Sequence, residues 1–226
     1  MNKEIFDSLW SPVEGAPAQN PKELFWLVNK VEALNPKAIL EIGVARGGTL
    51  RYWEQLVPAG CSVVGIEMDK TAQKQIEEWW DWRKSDRNLG IVIGDSLNQE
   101  VINHVKNIFK YQKLDFLFLD GNHDPEYIFK EFVIYGDMVR DGGLVAFHDI
   151  RPEMHLQYVF GKLRGYTERL LIDLGIGIYH KGSERKGLPL IFQRHNNEYD
   201  TFDLDKPQAD RLKAVWRSIR FDGWGD

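Results

Sequence analysis

Two short runs concentrate side chains that could move a proton or hold a positive charge. They are Asp120-Gly121-Asn122-His123-Asp124 and His148-Asp149-Ile150, each following an apolar stretch, Leu114–Leu119 and Gly143–Phe147. If those stretches are neighbouring parallel strands, their tips lie about 5 Å apart, and two aspartates and two histidines converge. Strand-end aspartates often do no more than cap loops. Four titratable groups gathered at adjacent tips, however, are costly to desolvate unless something positive sits among them. A histidine titrates near neutrality, which suits it to take a proton from a weak nucleophile such as an alcohol.

A second group precedes these runs. Leu40-Glu41-Ile42-Gly43-Val44-Ala45-Arg46-Gly47-Gly48-Thr49 joins an apolar run to a glycine-rich turn. Glycines there let backbone approach a ligand and leave the N–H groups of the next helix free. The spacing is G-x-x-x-G-G, not the G-x-G-x-x-G of dinucleotide sites, which counts against a nicotinamide dehydrogenase. Glu67 follows Gly43 by 24 positions and ends the next apolar run, where a carboxylate can accept both hydroxyls of a ribose. Gly94-Asp95-Ser96 ends the third run, where an aspartate can reach a purine amino group.

Positioning these residues requires strands that end at one edge. Ala38–Ile42, Ser62–Ile66, Gly90–Ile93, Leu114–Leu119 and Gly143–Phe147 are short apolar runs separated by helical patterns over 49–56, 71–83, 99–109 and 126–139. Such alternation predicts a parallel sheet covered on both faces. Two further strands are expected at Glu168–Ile172 and Ile176–His180, and helices at Glu153–Leu163 and Asp210–Ile219. The fold class is therefore α/β, a doubly wound, mostly parallel seven-stranded sheet with helices on both faces. Asn20, Pro21 and Glu23 mark a helix start with a capping box, and Leu24, Leu27, Val28, Val31 and Leu34 form its apolar face. The residues before Asn20, broken by Pro12, Gly15 and Pro17, read as an irregular arm or lid, and Asp141-Gly142-Gly143 as a turn.

Composition narrows the function class. The chain has 226 residues, 29 Lys+Arg against 34 Asp+Glu, a net charge of −5 and one cysteine. Cys61 alone forms neither an internal disulfide nor a cysteine-rich metal site, which fits a reducing cytoplasm. The acidic balance disfavours nucleic acid as the partner, and no apolar run approaches a membrane span or the core of a signal peptide. The Trp79, Trp80 and Trp82 cluster reads as packing, and His104, His155, His180 and His195 as surface or satisfied residues. The basic amphipathic stretch Arg211–Arg220 reads as a docking helix.

Taken together, E-x-G-x-x-x-G-G-T, G-I-E and G-D-S resemble the cofactor motifs of class I S-adenosylmethionine-dependent methyltransferases, over roughly Lys37 to Lys181. The resemblance implies a Rossmann-like methyltransferase fold in which Glu41, Gly43 and Gly47 line the methionine part of the cofactor. It implies Glu67 on the ribose, and Asp95 with Ser96 at the adenine. The later pattern, D-G-x-H followed by G-G-L-x-x-x-H-D, resembles metal-dependent O-methyltransferases of sugars and natural products and cephalosporin hydroxylase-like proteins. By that likeness Asp120, His148 and Asp149 are the metal set for Mg or Mn, and His123 with Asp120 the catalytic pair. His148 stands where those relatives carry an acid, which shifts preference toward Mn, Fe, Co or Zn or leaves the site without metal. The implied division is an N-terminal arm and helix (1–36) on the acceptor side, a cofactor-binding domain (37–181) and a C-terminal extension (182–226). The implied activity is O-methylation of a small-molecule hydroxyl on a sugar or secondary metabolite by a cytoplasmic enzyme, with homo-oligomerisation open. A cofactor-binding partner or regulatory protein without transfer activity is the second reading, and a nicotinamide oxidoreductase a distant third.

Overall fold

The computed structural model describes residues 1–10, 16–78, 86–151, 159–161, 163 and 167–183. Trp79, Trp80, Trp82, His155, His195, the C-terminal helix and most of the helix expected at 153–163 lie outside them. The strands are β1 (Ala38–Ile42), β2 (Ser62–Glu67), β3 (Asn88–Ile93), β4 (Leu114–Leu119), β5 (Val139–His148), β6 (Thr167–Leu170) and β7 (Ile176–His180). The helices are α1 (Lys3–Leu9), α2 (Pro21–Glu32), α3 (Leu50–Leu56), α4 (Lys70–Glu78), α5 (Gln99–Ile108) and α6 (Pro125–Gly136). The strands form one sheet in the order β3-β2-β1-β4-β5-β7-β6. Contacts among β1 to β5 are parallel, and β7 runs antiparallel to both β5 and β6.

Alternation along each strand divides the core in two. Leu40 and Ile42 of β1 face α5 and α6 through Val101, Val105, Phe129 and Phe132. Ile39 of β1 and Phe116 and Phe118 of β4 face α2 and α3 through Leu24, Leu27, Val28 and Trp53. Every residue of β1 and β4 is buried, which is why these runs read as apolar on both faces, broken only by Glu41 and Asp115, rather than alternating. The doubly wound, mostly parallel sheet is thus the one the sequence implies. Chain order reverses between β1 and β4, the crevice where open α/β sheets bind ligands.

Three local expectations are corrected. The arm before Asn20 is not irregular throughout: Asn2 caps α1 by accepting from Ile5 N at 2.9 Å, and Phe6 is fully buried against Phe25 and Tyr52. Glu23 does not close a capping box. Asn20 caps α2 alone, through Lys22 N, while the buried Glu23 carboxylate accepts from Ile172 N at 2.6 Å and Asp173 N at 2.7 Å and pins the β6–β7 connection. Asp141-Gly142-Gly143 is an irregular insertion inside β5 rather than a turn before it. Gly142 N donates to Lys181 O at 2.9 Å and Lys181 N to Gly143 O at 3.0 Å, so β7's end keeps that backbone paired.

Candidate active site

The turn after β1 is shaped by one close approach. Gly43 has φ +87°, and a Cβ there would lie 2.2 Å from the carbonyl oxygen of Asp120. Only glycine lets the β1 and β4 ends meet; Gly43 N then donates to Ile66 O at 3.0 Å and Asp120 N to Ile42 O at 2.9 Å. Ala45 takes a left-handed φ of 47°, and its N–H donates to Glu67 Oε2 at 2.7 Å. Glu67 Oε1 accepts from Asp69 N at 2.9 Å. The β2 carboxylate therefore holds the glycine turn open at the mouth of a cavity of about 360 Å³, a volume suited to a small molecule.

That cavity runs along the C-terminal ends of the central strands. Gly43 and Ala45 line it from the first turn, Glu67 and Met68 from β2, Asp120 and Asn122 from β4, and Ser96, Tyr127 and Glu131 from the β3 end and α6. Of the expected cofactor residues, Gly43, Glu67 and Ser96 are on its wall, whereas Glu41, Gly47 and Asp95 are not. Gly47, at φ +76°, packs against Ile76 and closes the turn through its N–H to Val44 O at 2.9 Å. Asp95 accepts from Leu97 N at 2.8 Å and from the Tyr127 hydroxyl. Glu41 is buried behind the turn, where Trp53 Nε1 donates to it at 2.6 Å together with the Thr49 hydroxyl. Burial pushes the Glu41 carboxyl up to about 8, against the pull of the Thr49 hydrogen bond.

Beside the cavity the two chemistry-bearing runs meet. His148 Nδ1 lies 2.9 Å from Asp120 Oδ1 and 3.2 Å from Asp149 Oδ1. Burial works to lower the His148 pKa, but its hydrogen bonds to both aspartates and their charges prevail and raise it to about 10. His123 Nε2 lies 2.9 Å from Asp149 Oδ2, with the imidazole more than half exposed and the carboxylate buried. Asp149 sits at φ 57°, an unusual conformation for a non-glycine residue and one that marks sites where orientation is imposed. Gln19, from the segment before α2, donates to Asp120 Oδ2. The four residues drawn from β4 and β5 are therefore brought together, and Gln19 joins them. Neither Gln19 nor Glu131 is marked by any motif. A glutamine next to an N-cap is a faint signal, and a glutamate at a buried position of an otherwise apolar helix face is a better one.

Three side chains here form a donor set that could hold a divalent ion. Asp120, His123 and Asp149 each offer an atom within 4.8 Å of the others. Two carboxylates and one imidazole suit Mn, Fe, Co or Zn better than Mg. His148, expected as a ligand, presents Nδ1 to both carboxylates.

Residues 40–150 match a family described as a methyltransferase domain. None of the curated proteins matches this sequence. Among solved structures, the chain is similar to an O-methyltransferase from Bacillus cereus determined in complex with SAH, with a TM-score of 0.61 and 15% identity over 80% of this chain and 92% of that one. It is similar to the O-methyltransferase TomG from Streptomyces achromogenes, involved in tomaymycin synthesis and determined with SAM, with a TM-score of 0.59 and 14% identity over 80% of this chain and 92% of the other. The SAH-bound methyltransferase PaMTH1 from Podospora anserina aligns with a TM-score of 0.57 and 14% identity over 78% and 87% of the two chains. At such identities the likeness is one of fold.

Proposed function

We propose that this chain, whose residues 40–150 match a family described as a methyltransferase domain, is an S-adenosylmethionine-dependent O-methyltransferase acting on a hydroxyl of a sugar or secondary-metabolite small molecule in the cytoplasm. The observation that carries the proposal is the charge of the cavity. Glu67, Asp120 and Glu131 line it, and among the described residues no lysine or arginine does. A wall of carboxyls without a cation favours a sulfonium ligand and disfavours the pyrophosphate of a dinucleotide. No helix among the described residues is long and apolar enough to cross a membrane.

In this reading Glu67 receives the ribose hydroxyls, the Gly43 turn admits the methionine portion, and the methyl group faces the corner between Asp120 and His123. The acceptor enters from the exposed side of His123, under the segment that carries Gln19. Nε2 of His123 donates to Asp149, which leaves Nδ1 free to take the hydroxyl proton, an orientation that an acid–imidazole pair fixes in advance. As the acceptor oxygen bonds to the methyl carbon, the carbon–sulfur bond breaks and its electron pair returns to sulfur, giving a neutral thioether. Alignment does most of the work, because the sulfonium is already a good electrophile. A divalent ion held by Asp120, His123 and Asp149 would supply Lewis acidity to the same hydroxyl. His123 would then serve as ligand rather than proton acceptor.

The test is transfer of a labelled methyl group from S-adenosylmethionine to a panel of hydroxylated sugars and phenols. His123→Ala and Asp120→Ala are expected to abolish turnover while SAH binding persists. Retained turnover in both variants contradicts the site assignment.

A further inference from the structure

Asp120 receives a donor from each side. Its Oδ1 faces His148 Nδ1 at 2.9 Å, and its Oδ2 accepts from the side-chain amide of Gln19, 101 positions away in the chain. The nitrogen of that amide must face the carboxylate, since two oxygens would repel. Gln19 is 6% exposed, and its Oε1 is buried with no hydrogen-bond partner among the described residues. A leucine would fill such a place without leaving a polar atom unpaired, so packing alone does not explain a glutamine here.

The backbone that carries Gln19 is firmly mounted. Pro17 before it is buried, and Asn20 after it caps α2 by accepting from Lys22 N at 3.0 Å. Helix α2 is itself fixed by Leu24, Leu27 and Val28 in the core and by Glu23, which accepts from Ile172 N and Asp173 N. A side chain on such a mount imposes an orientation on its partner rather than following it. The donor is also neutral. A lysine or arginine would fix the carboxylate equally well but would oppose an incoming cation, whereas an amide leaves the carboxylate its charge.

We infer that Gln19 is a positioning residue: it holds the Asp120 carboxylate with a neutral donor so that Asp120, His123 and Asp149 converge on one divalent ion. The three offer atoms within 4.8 Å of one another, and a carboxylate oxygen with one lone pair on Gln19 keeps another for a metal. The inference rests on the reading of these three residues as a donor set. Partners that orient a ligating carboxylate govern affinity although they do not touch the ion.

The experiment is calorimetric titration of the metal-stripped full chain with manganese chloride, and separately with SAH, for wild type, Gln19→Leu and Gln19→Lys. Wild type is expected to bind one Mn²⁺ per chain. Gln19→Leu is expected to bind it about 10- to 100-fold more weakly, and Gln19→Lys, which keeps a donor but adds a charge, at least as weakly. SAH affinity is expected to stay at the wild-type level in both, because Gln19 is not on the cavity wall. Leucine removes one hydrogen bond and one orphaned oxygen together, so the melting temperature of Gln19→Leu is expected to stay within about 5 °C of wild type. A merely structural residue would lower the melting temperature and leave Mn²⁺ affinity intact. Unchanged Mn²⁺ affinity in Gln19→Leu or in Gln19→Lys overturns the inference, as does a wild type that binds no Mn²⁺. SAH binding decides the cofactor reading separately: a chain that binds Mn²⁺ in the expected order but not SAH loses the cofactor and keeps the positioning role.

Discussion

Replacing Glu41 by glutamine isolates the cost of a buried acid that supports the glycine turn. Glu41 is 1% exposed, its carboxyl rises from 4.5 to about 8, and its partners are the Thr49 hydroxyl and the indole of Trp53. The folded state therefore keeps a proton that the unfolded chain releases above about pH 4.5, and stability falls as pH rises until the folded group ionises near 8. At about 1.4 kcal/mol per unit, the whole gap is worth on the order of 4 to 5 kcal/mol, of which about 2 to 3 kcal/mol falls between pH 6 and pH 8. Glutamine fills the same space. Its oxygen accepts from Trp53 and its amide donates to Thr49, whose hydroxyl can turn to receive it. Urea unfolding of wild type and Glu41→Gln at pH 6, 7 and 8 should show the variant gaining on wild type by about 2 to 3 kcal/mol across that range. Parallel profiles would refute the claim that Glu41 is carried protonated into the core.

Two further predictions follow from the contacts around the site. Gly43→Ala places a Cβ 2.2 Å from the Asp120 carbonyl at φ +87°, and a loss of about 3 kcal/mol or more is expected by urea unfolding, with SAH binding abolished. His148→Leu leaves Asp120 and Asp149 buried beside each other without the imidazole between them; a loss of about 3 to 5 kcal/mol is expected, and a variant as stable as wild type would show that His148 does not neutralise the pair.

The central sheet was legible because β1 and β4 are buried on both faces, so each run is apolar apart from one acid, Glu41 in β1 and Asp115 in β4. The strand-end acids and histidines were legible for the same reason, since a parallel sheet must bring those ends to one edge. What escaped depends on docking between distant segments. Helix α1 is 7 residues long and held mainly by Phe6, too short for periodicity to reveal. The early part of β5 contains Gly142 and Gly143, and only pairing with Lys181 makes it strand rather than turn. Glu41 alternates onto the same face as Ile39, which local pattern shows, but α3's covering of it with Trp53 is a tertiary fact. Glu131 and Gln19 reach the site only through how α6 and the segment before α2 pack. Part of the chain's acidity, −5 overall, is gathered at the cavity, which Glu67, Asp120 and Glu131 line.

The central claim is that this wall is built for a cationic sulfonium cofactor. Parallel calorimetric titrations of wild type with S-adenosylmethionine and with NAD test it most directly. Saturable binding of S-adenosylmethionine at one site per chain, with no heat from NAD, is the expected result. Binding of NAD with none of S-adenosylmethionine would contradict it.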